Sequence, residues 1–363
     1  MKKPIKRREF IERTSKLAVG AGLTYLGTRT GLARQQAPDE KIHPMRYRRL
    51  GRTEMMASEI GLGAAAMDEP VIRAGLDNGI NYIDTAAIYG RGRSEREVGK
   101  AVKGQRDRVF VATKWHTSRP NTTAESLMES LNGSLKRLSL DYVDSIQVHN
   151  VTELGHVLMP ELHEAFQAAK QQGKVRFLGA ACHDGLRCEL LSKAILTGHF
   201  DTILVSFNFS DYEHASIPRL LALAHKHDVG VICMKAQQNN ARIAGLTDGK
   251  DSIRQANLKW VLSKDIASVV SSMNTFELLE EDIAASGQPL RPADVKLVSR
   301  YAEAINKDYC RGCRQTCEPG CPGNVAIADT LRYSRYFRHY GRREHARELY
   351  RNLPSDRNVS NCV

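Results

Sequence analysis

The stretch "LDNGINYIDTAAIYGRGRSEREVGKAV", Leu76–Val102, carries a short apolar run, Tyr82–Thr85, followed by a polar loop. The run contains an acid, Asp84, and a tyrosine, Tyr89, stands five residues after that acid. Runs of this kind read as strands, and they recur along the chain. Others are Ala57–Gly61, Val109–Thr113, Ser145–Val148, Phe177–Ala180, Thr202–Ser206, Val229–Met234 and Ser268–Ser271. Helical patterns lie between them. In "AESLMESLNGSLKRLSL" Leu127, Leu131, Leu135 and Leu138 recur at helical spacing, and "MPELHEAFQAAKQQGK" is a second such stretch. Strands and helices in strict alternation predict an α/β fold, a (β/α)8 TIM barrel. "YRRLGRTEMMASEI", ahead of the first unit, reads as an N-terminal hairpin across a glycine-containing turn.

A rival lies in "GLGAAA", Gly61–Ala66, a G-x-G-x-x-A string after a strand, with Asp84 ending the next strand. That is the outline of a dinucleotide-binding Rossmann unit. Asp68, Glu69 and Pro70 stand where its helix would open, and carboxylates there would repel a pyrophosphate. Eight βα units also exceed what one such domain requires.

The formal charge is +12, but residues 1–16 and residues 332–351 each carry a net +5. The body is therefore nearly neutral, which argues against a nucleic-acid surface. No apolar run is long enough to predict a stable membrane span. Lys6–Ile11, "KRREFI", precedes an apolar Gly/Ala-rich stretch, Leu17–Gly27, and then the small residues Gly31 and Ala33. A basic region, an apolar region and a small-residue site in that order predict a twin-arginine signal peptide over 1–33. The expected location is periplasmic, with a cytoplasmic protein as the alternative. A linker over 34–44, a barrel over 45–305, a small Cys-rich helical module over 306–353 and a tail over 354–363 complete the predicted organisation.

Barrel active sites are built at the C-terminal ends of the strands. Asp84, Lys114 and His149 fall at such ends, and Tyr89 follows the first of them. A lysine directly after a buried strand needs a partner. A tyrosine has an ordinary pKa of about 10, which a neighbouring ammonium lowers while a carboxylate holds the lysine. A histidine can orient a carbonyl oxygen. These four residues predict a catalytic group for carbonyl reduction.

"YRRLGRTEMMASEIGLG", "LDNGINYIDTAAIYGRGRSEREVGKAV", "VFVATK" and "SIQVHN" closely resemble the aldo-keto reductases, over roughly residues 46–285. The resemblance implies Tyr89 as general acid/base, with Lys114, Asp84 and His149 around it. It implies hydride transfer between NAD(P)H and a small carbonyl substrate or its alcohol. The cofactor side departs from the family pattern. Cys182 and His183 replace the usual Ser-Asn pair, and "MKAQQNN" replaces the phosphate loop. Glu281 keeps the adenosine-side acid, Asp282 replaces an asparagine, and the usual 2′-phosphate cations fall on Ser272 and Leu278. The choice between NADH and NADPH stays open, with His183 and Lys235 as candidate substitutes.

"CRGCRQTCEPGCPG" places Cys310, Cys313, Cys317 and Cys321 in a run similar to that of bacterial ferredoxins, with one residue added. A 4Fe-4S cluster, a zinc site and two disulfides are the readings of these metal-ligand candidates. Cys182, Cys188 and Cys233 read as packing. Tyr333, Tyr336, Phe337 and Tyr340 predict one helix face docked on the cysteine module. Two other functions compete with the reductase. One is a cluster-carrying electron-transfer protein with a redox partner, and the other is a ligand-binding barrel without turnover.

Overall fold

The computed structural model describes residues 45–117, 122–210, 212, 216–237, 252–305, 310, 317–338 and 343–362. The predicted signal peptide and linker, Cys313 and Tyr340 lie outside these residues.

Strands β3 (Ile60–Gly63), β4 (Tyr82–Asp84), β5 (Phe110–Trp115), β6 (Val143–Val148), β7 (Val175–Cys182), β8 (Thr202–Ser206), β9 (Gly230–Met234) and β10 (Ser268–Ser271) close into a parallel barrel. β10 pairs with β3, so the ring is complete. This closed ring excludes the Rossmann reading of "GLGAAA". Gly63 ends β3, and a short 3-10 turn over Ala64–Ala66 follows it.

Away from their ends the strands are buried on both faces, as a parallel sheet wrapped by helices requires. All six residues of β6 are buried. The surrounding helices are α1 (Glu69–Asp77), α2 (Arg93–Val102), α3 (Ala124–Leu138), α4 (Pro160–Gln171), α5 (Arg187–Leu196), α6 (Ile217–Lys226), α7 (Ile253–Leu262), α8 (Phe276–Ile283) and α9 (Pro292–Ile305). α3 shows why such segments are helical. The Thr123 hydroxyl accepts from the Ser126 amide and the Ser126 hydroxyl accepts from the Thr123 amide, a capping box. Leu127, Leu131, Leu135 and Leu138 are all buried, as their spacing predicts.

The hairpin pairs β1 (Tyr47–Arg49) with β2 (Met56–Ser58), antiparallel. The predicted strand Ala57–Gly61 is therefore two strands. Glu59 divides them, its carboxylate accepting from Arg48 at 3.1 Å and from Ser286 at 3.0 Å. The turn closes the N-terminal end of the barrel. Gly51 has φ +51°, and a β-carbon there would meet the amide nitrogen of Gly230 at 2.2 Å. Only glycine permits both that conformation and that approach. Leu50 and Met55 thereby join Tyr82, Ala112, Ala181, Leu204 and Ile232 in the inner core cluster.

After the barrel, α10 (Ile327–Arg338) and α11 (Arg343–Arg351) pack against each other. Glu318 secures this region, accepting from the Ala328 amide at 3.1 Å and pairing with Arg357 at 2.6 Å. The aromatic face predicted for α10 divides. Phe337 meets the guanidinium carbons of Arg343 and Arg347 at 5.6 and 5.3 Å. Tyr336 instead lies beside Tyr333, with ring centroids 6.4 Å apart. Among the described residues no helix is long and apolar enough to cross a membrane.

Candidate active site

Side chains alternate along a strand. Tyr82 and Ala112 point into the barrel core, so Asp84 and Lys114, two residues further along, point the same way nearer the C-terminal mouth. The register sets Asp84 beside Ala112 on the adjoining strands. Lys114 Nζ donates to Asp84 Oδ2 at 2.6 Å and to the Thr85 carbonyl at 2.7 Å. Both charged side chains are almost fully buried, Lys114 at 2% exposure and Asp84 at 4%. Charges at that depth persist only when paired and hydrogen-bonded.

Tyr89 lies in the loop after β4, where its amide donates to the Ala86 carbonyl at 3.0 Å. The Lys114 ammonium is 5.0 Å from the centroid of its ring. His149, just past β6, meets that ring edge-on at 5.7 Å. The four residues named from the sequence thus converge. Asp84, Tyr89, Lys114 and His149 arrive from three neighbouring strands.

The electrostatics differ from the expectation in one respect. The Tyr89 phenol is raised, not lowered, from its ordinary pKa. Burial is the main cause. Lys114 pulls the pKa down, while the Asp84 charge opposes that pull. The tyrosine is consequently held in its protonated form, the form a general acid needs. Burial pushes the His149 imidazole well below its usual range, and Lys114, His116 and Lys235 add to the effect. His149 is therefore neutral at pH 7. Its Nδ1 faces His116 Nε2 at 3.0 Å, which leaves Nε2 as its second polar atom. His116 was not named from the sequence, although it follows Lys114 by two residues in a strand-like register.

His183, Lys235 and Ser272 lie just past β7, β9 and β10, and Glu281 and Asp282 lie on α8. Lys235 is exposed just past β9 in a left-handed conformation, φ +59°. His183 follows β7, and burial first, then the charges of Lys235 and Arg332, hold its imidazole well below the usual range. Its Nδ1 is buried with no hydrogen-bond partner. Cys182 donates from Sγ to the Val151 carbonyl at 2.9 Å, and burial raises its thiol to about 12. Ser272 is exposed, and its carbonyl accepts from Arg254 at 3.2 Å.

Asp282 is held in a buried network. It has no exposed surface, and it is bound by both Arg254 and Gln237. Arg254 Nη2 donates to it at 2.6 Å and Gln237 Nε2 at 3.0 Å. The carboxylate is committed to this interior network. Beside it, Glu281 accepts from the Ser252 hydroxyl at 2.5 Å.

Among the described residues no group of three or more His, Cys, Asp or Glu side chains is placed to hold a metal. Cys310 and Cys321 are half-buried and Cys317 is exposed. The residues described thus do not form a metal centre. Cys182 and Cys233 are fully buried, in keeping with packing.

The sequence profile of the Aldo/keto reductase family matches residues 64–242. The chain belongs to the aldo/keto reductase family. An uncharacterized oxidoreductase of Bacillus subtilis, YqkF, is 26% identical over 305 residues, 71% of this chain and 97% of that protein. L-galactose dehydrogenase of Arabidopsis thaliana is 28% identical, over 66% of this chain and 87% of that protein. Among solved structures, an aldo-keto reductase of Klebsiella pneumoniae in complex with NADPH has a TM-score of 0.59 at 23% identity. That likeness, over 71% of this chain and 95% of the other, is one of fold. The match spans all four candidate catalytic residues, Asp84, Tyr89, Lys114 and His149.

Proposed function

We propose that this aldo/keto reductase interconverts a small carbonyl compound and its alcohol, with Tyr89 as the proton-transferring acid/base. The observation that carries the reading is the buried Lys114–Asp84 pair set beneath Tyr89, with neutral His149 at the ring's edge. A bound reduced nicotinamide would supply the hydride.

The mouth suits that group. Asn150 Oδ1, next to His149, is buried without a hydrogen-bond partner, an acceptor matched to a carboxamide N–H. The NADPH complex of the Klebsiella pneumoniae relative supports a nicotinamide as the cofactor. In reduction, the carbonyl carbon gains the hydride and its oxygen takes the proton of the Tyr89 hydroxyl. His149 donates a hydrogen bond to that oxygen and orients it. Lys114 stabilises the phenolate left behind, and Asp84 holds Lys114 in place. The products are the alcohol and the oxidised nicotinamide, and solvent returns the proton to Tyr89.

Replacing Tyr89 by phenylalanine tests the assignment. Turnover should fall at least ~100-fold, the scale for losing a general acid, with cofactor affinity retained. Unchanged turnover would remove Tyr89 from the mechanism.

We also propose export of the folded chain through the leader at 1–33, on the strength of Arg7 and Arg8 ahead of the apolar stretch. Export that survives replacement of both arginines by lysine would defeat this. The cluster-carrying alternative rests on the spacing of Cys310, Cys313, Cys317 and Cys321 alone. Iron and acid-labile sulfide in anaerobically purified protein would favour it. Four freely titrating thiols would exclude it.

A further inference from the structure

We propose that Ser94, in the first turn of α2, is a positioning residue for the reaction, tying the loop that carries Tyr89 to the carbonyl that holds Lys114. The inference rests on the reading of Tyr89 as the acid.

Ser94 is almost fully buried, and Ala64 and Thr85 have no exposed surface. The Ser94 hydroxyl lies 2.6 Å from the Ala64 carbonyl and 2.7 Å from the Thr85 hydroxyl. A hydroxyl has one proton to donate, and a carbonyl can only accept. Ser94 therefore donates to Ala64, and Thr85 donates to Ser94. Ala64 opens the turn after β3, and Thr85 directly follows β4. The Ser94 amide donates to the Tyr89 carbonyl at 3.2 Å. One serine thus joins the ends of two barrel strands to the backbone of the acid.

Thr85 passes this constraint on. Its amide donates to the Ala112 carbonyl at 2.9 Å, and its own carbonyl accepts from Lys114 Nζ at 2.7 Å. Thr85 faces Ser94 with its side chain and Lys114 with its backbone. Glu95, the next residue of α2, braces the neighbouring strand in the same way. It is fully buried, accepts from the Thr113 hydroxyl at 2.7 Å and pairs with Arg137 at 2.6 Å. Thr113 immediately precedes Lys114.

The loop between Tyr89 and Ser94 calls for such an anchor. Arg91 holds φ +54°, between two glycines that are also left-handed. A residue with a β-carbon keeps that conformation only where its surroundings impose it. The backbone of Tyr89 is held by two bonds, one from its amide to Ala86 and one from the Ser94 amide to its carbonyl. Ser94 therefore governs where the phenol stands relative to the ammonium, without itself reaching the substrate.

The test uses the full chain with NADH and benzaldehyde, and kcat is expressed per titrated NADH site so that unfolded protein does not count. In Ser94→Ala kcat should fall about tenfold, the scale of losing one or two ordinary hydrogen bonds. The KM for benzaldehyde and the Kd for NADH should change by less than about twofold, because geometry used only in the transition state leaves ground-state binding alone. Two Thr85 variants separate the hydroxyl from packing. Thr85→Val keeps the shape and loses the donor, so kcat should fall in the same way, whereas Thr85→Ser keeps the donor and should retain the greater part of kcat. Wild-type kcat in Ser94→Ala would overturn the proposal. So would a Thr85→Ser variant as slow as Thr85→Val, because packing would then be the cause. If Ser94→Ala binds no NADH, the Thr85 pair decides by the same criterion. Tyr89→Phe separates this inference from the reading beneath it. If Tyr89→Phe is as fast as wild type, or wild type reduces no benzaldehyde, the reading fails and the inference falls with it. A slow Tyr89→Phe beside a fast Ser94→Ala overturns the inference alone.

Discussion

His116 Nε2 and His149 Nδ1 meet at 3.0 Å, with ring centroids 4.5 Å apart. The contact engages Nδ1 of His149 and, in the proposed mechanism, leaves Nε2 for the substrate oxygen. We propose His116 as a positioning residue. His116→Phe should lower kcat/KM about fivefold, the worth of one ordinary hydrogen bond. It should also move the acid limb of the pH–rate profile upward, because a neighbouring charge that suppresses protonation of His149 is removed. Loss of activity with an unmoved profile would mean that the ring only fills space.

The Lys114–Asp84 pair predicts an asymmetry in stability. Lys114→Met leaves a buried carboxylate without its partner, which costs about 3–5 kcal/mol. Adding Asp84→Leu removes the stranded charge and should recover most of that loss without restoring turnover. Urea denaturation of the single and double variants measures both. A double variant no more stable than the single would show that packing, not charge, is at stake.

The raised phenol of Tyr89 fixes the pH behaviour of the two directions. Carbonyl reduction needs the protonated form and should stay level from neutral pH up to the ordinary tyrosine range, about 10. Alcohol oxidation needs the phenolate and should climb over the same range. Initial rates in both directions between pH 6 and 10 provide the check, and a reduction rate that collapses near pH 7 would contradict it.

His149 and His183 are both held neutral by burial in the folded protein. Their folded pKa values lie below the unfolded one, so the unfolded chain binds protons first as the pH falls. Stability is complete above about pH 6.5 and declines below it, by about 1.4 kcal/mol per pH unit for each histidine. His183→Gln should flatten the slope measured by denaturation at pH 5 to 7. An equal slope in the variant would assign the loss to other groups.

NADH should bind at least as tightly as NADPH. Ser272 and Leu278 present no cation, and the guanidinium nearest Ser272, that of Arg254, is bound to Asp282. A doubly charged 2′-phosphate is poorly compensated there. Fluorescence titration with both nucleotides decides the point, and a strong preference for NADPH would reveal a cation elsewhere.

The convergence of the four candidate catalytic residues was legible because strand alternation is local. Tyr82 and Asp84, or Ala112 and Lys114, declare a shared face from their spacing alone. The first barrel strand was less clear. Glu59 is the one charged residue in "ASEIGLG", and the break it makes depends on Arg48 and on Ser286, far along the chain. Asp282 illustrates the same limit. Its partners Arg254 and Gln237 lie 28 and 45 residues away, so the sequence showed an acid near a cofactor segment and not the network that engages it. The placement of α10 against α11 is tertiary too. An amphipathic helix carries the fact of docking, and its neighbours decide where.

Closure of the barrel has a consequence for how the chain is made. β3 finds one neighbour early, in β4, but its other neighbour is β10, where Val269 pairs with Ile60. Until the ribosome has delivered Ser268–Ser271, β3 and β9 each present an unpaired row of backbone donors and acceptors. Such edges recruit other chains, and a contact this distant in sequence forms slowly. A nascent or truncated chain that stops short of β10 is therefore a half-open ring, able to be completed by the last strand of another molecule.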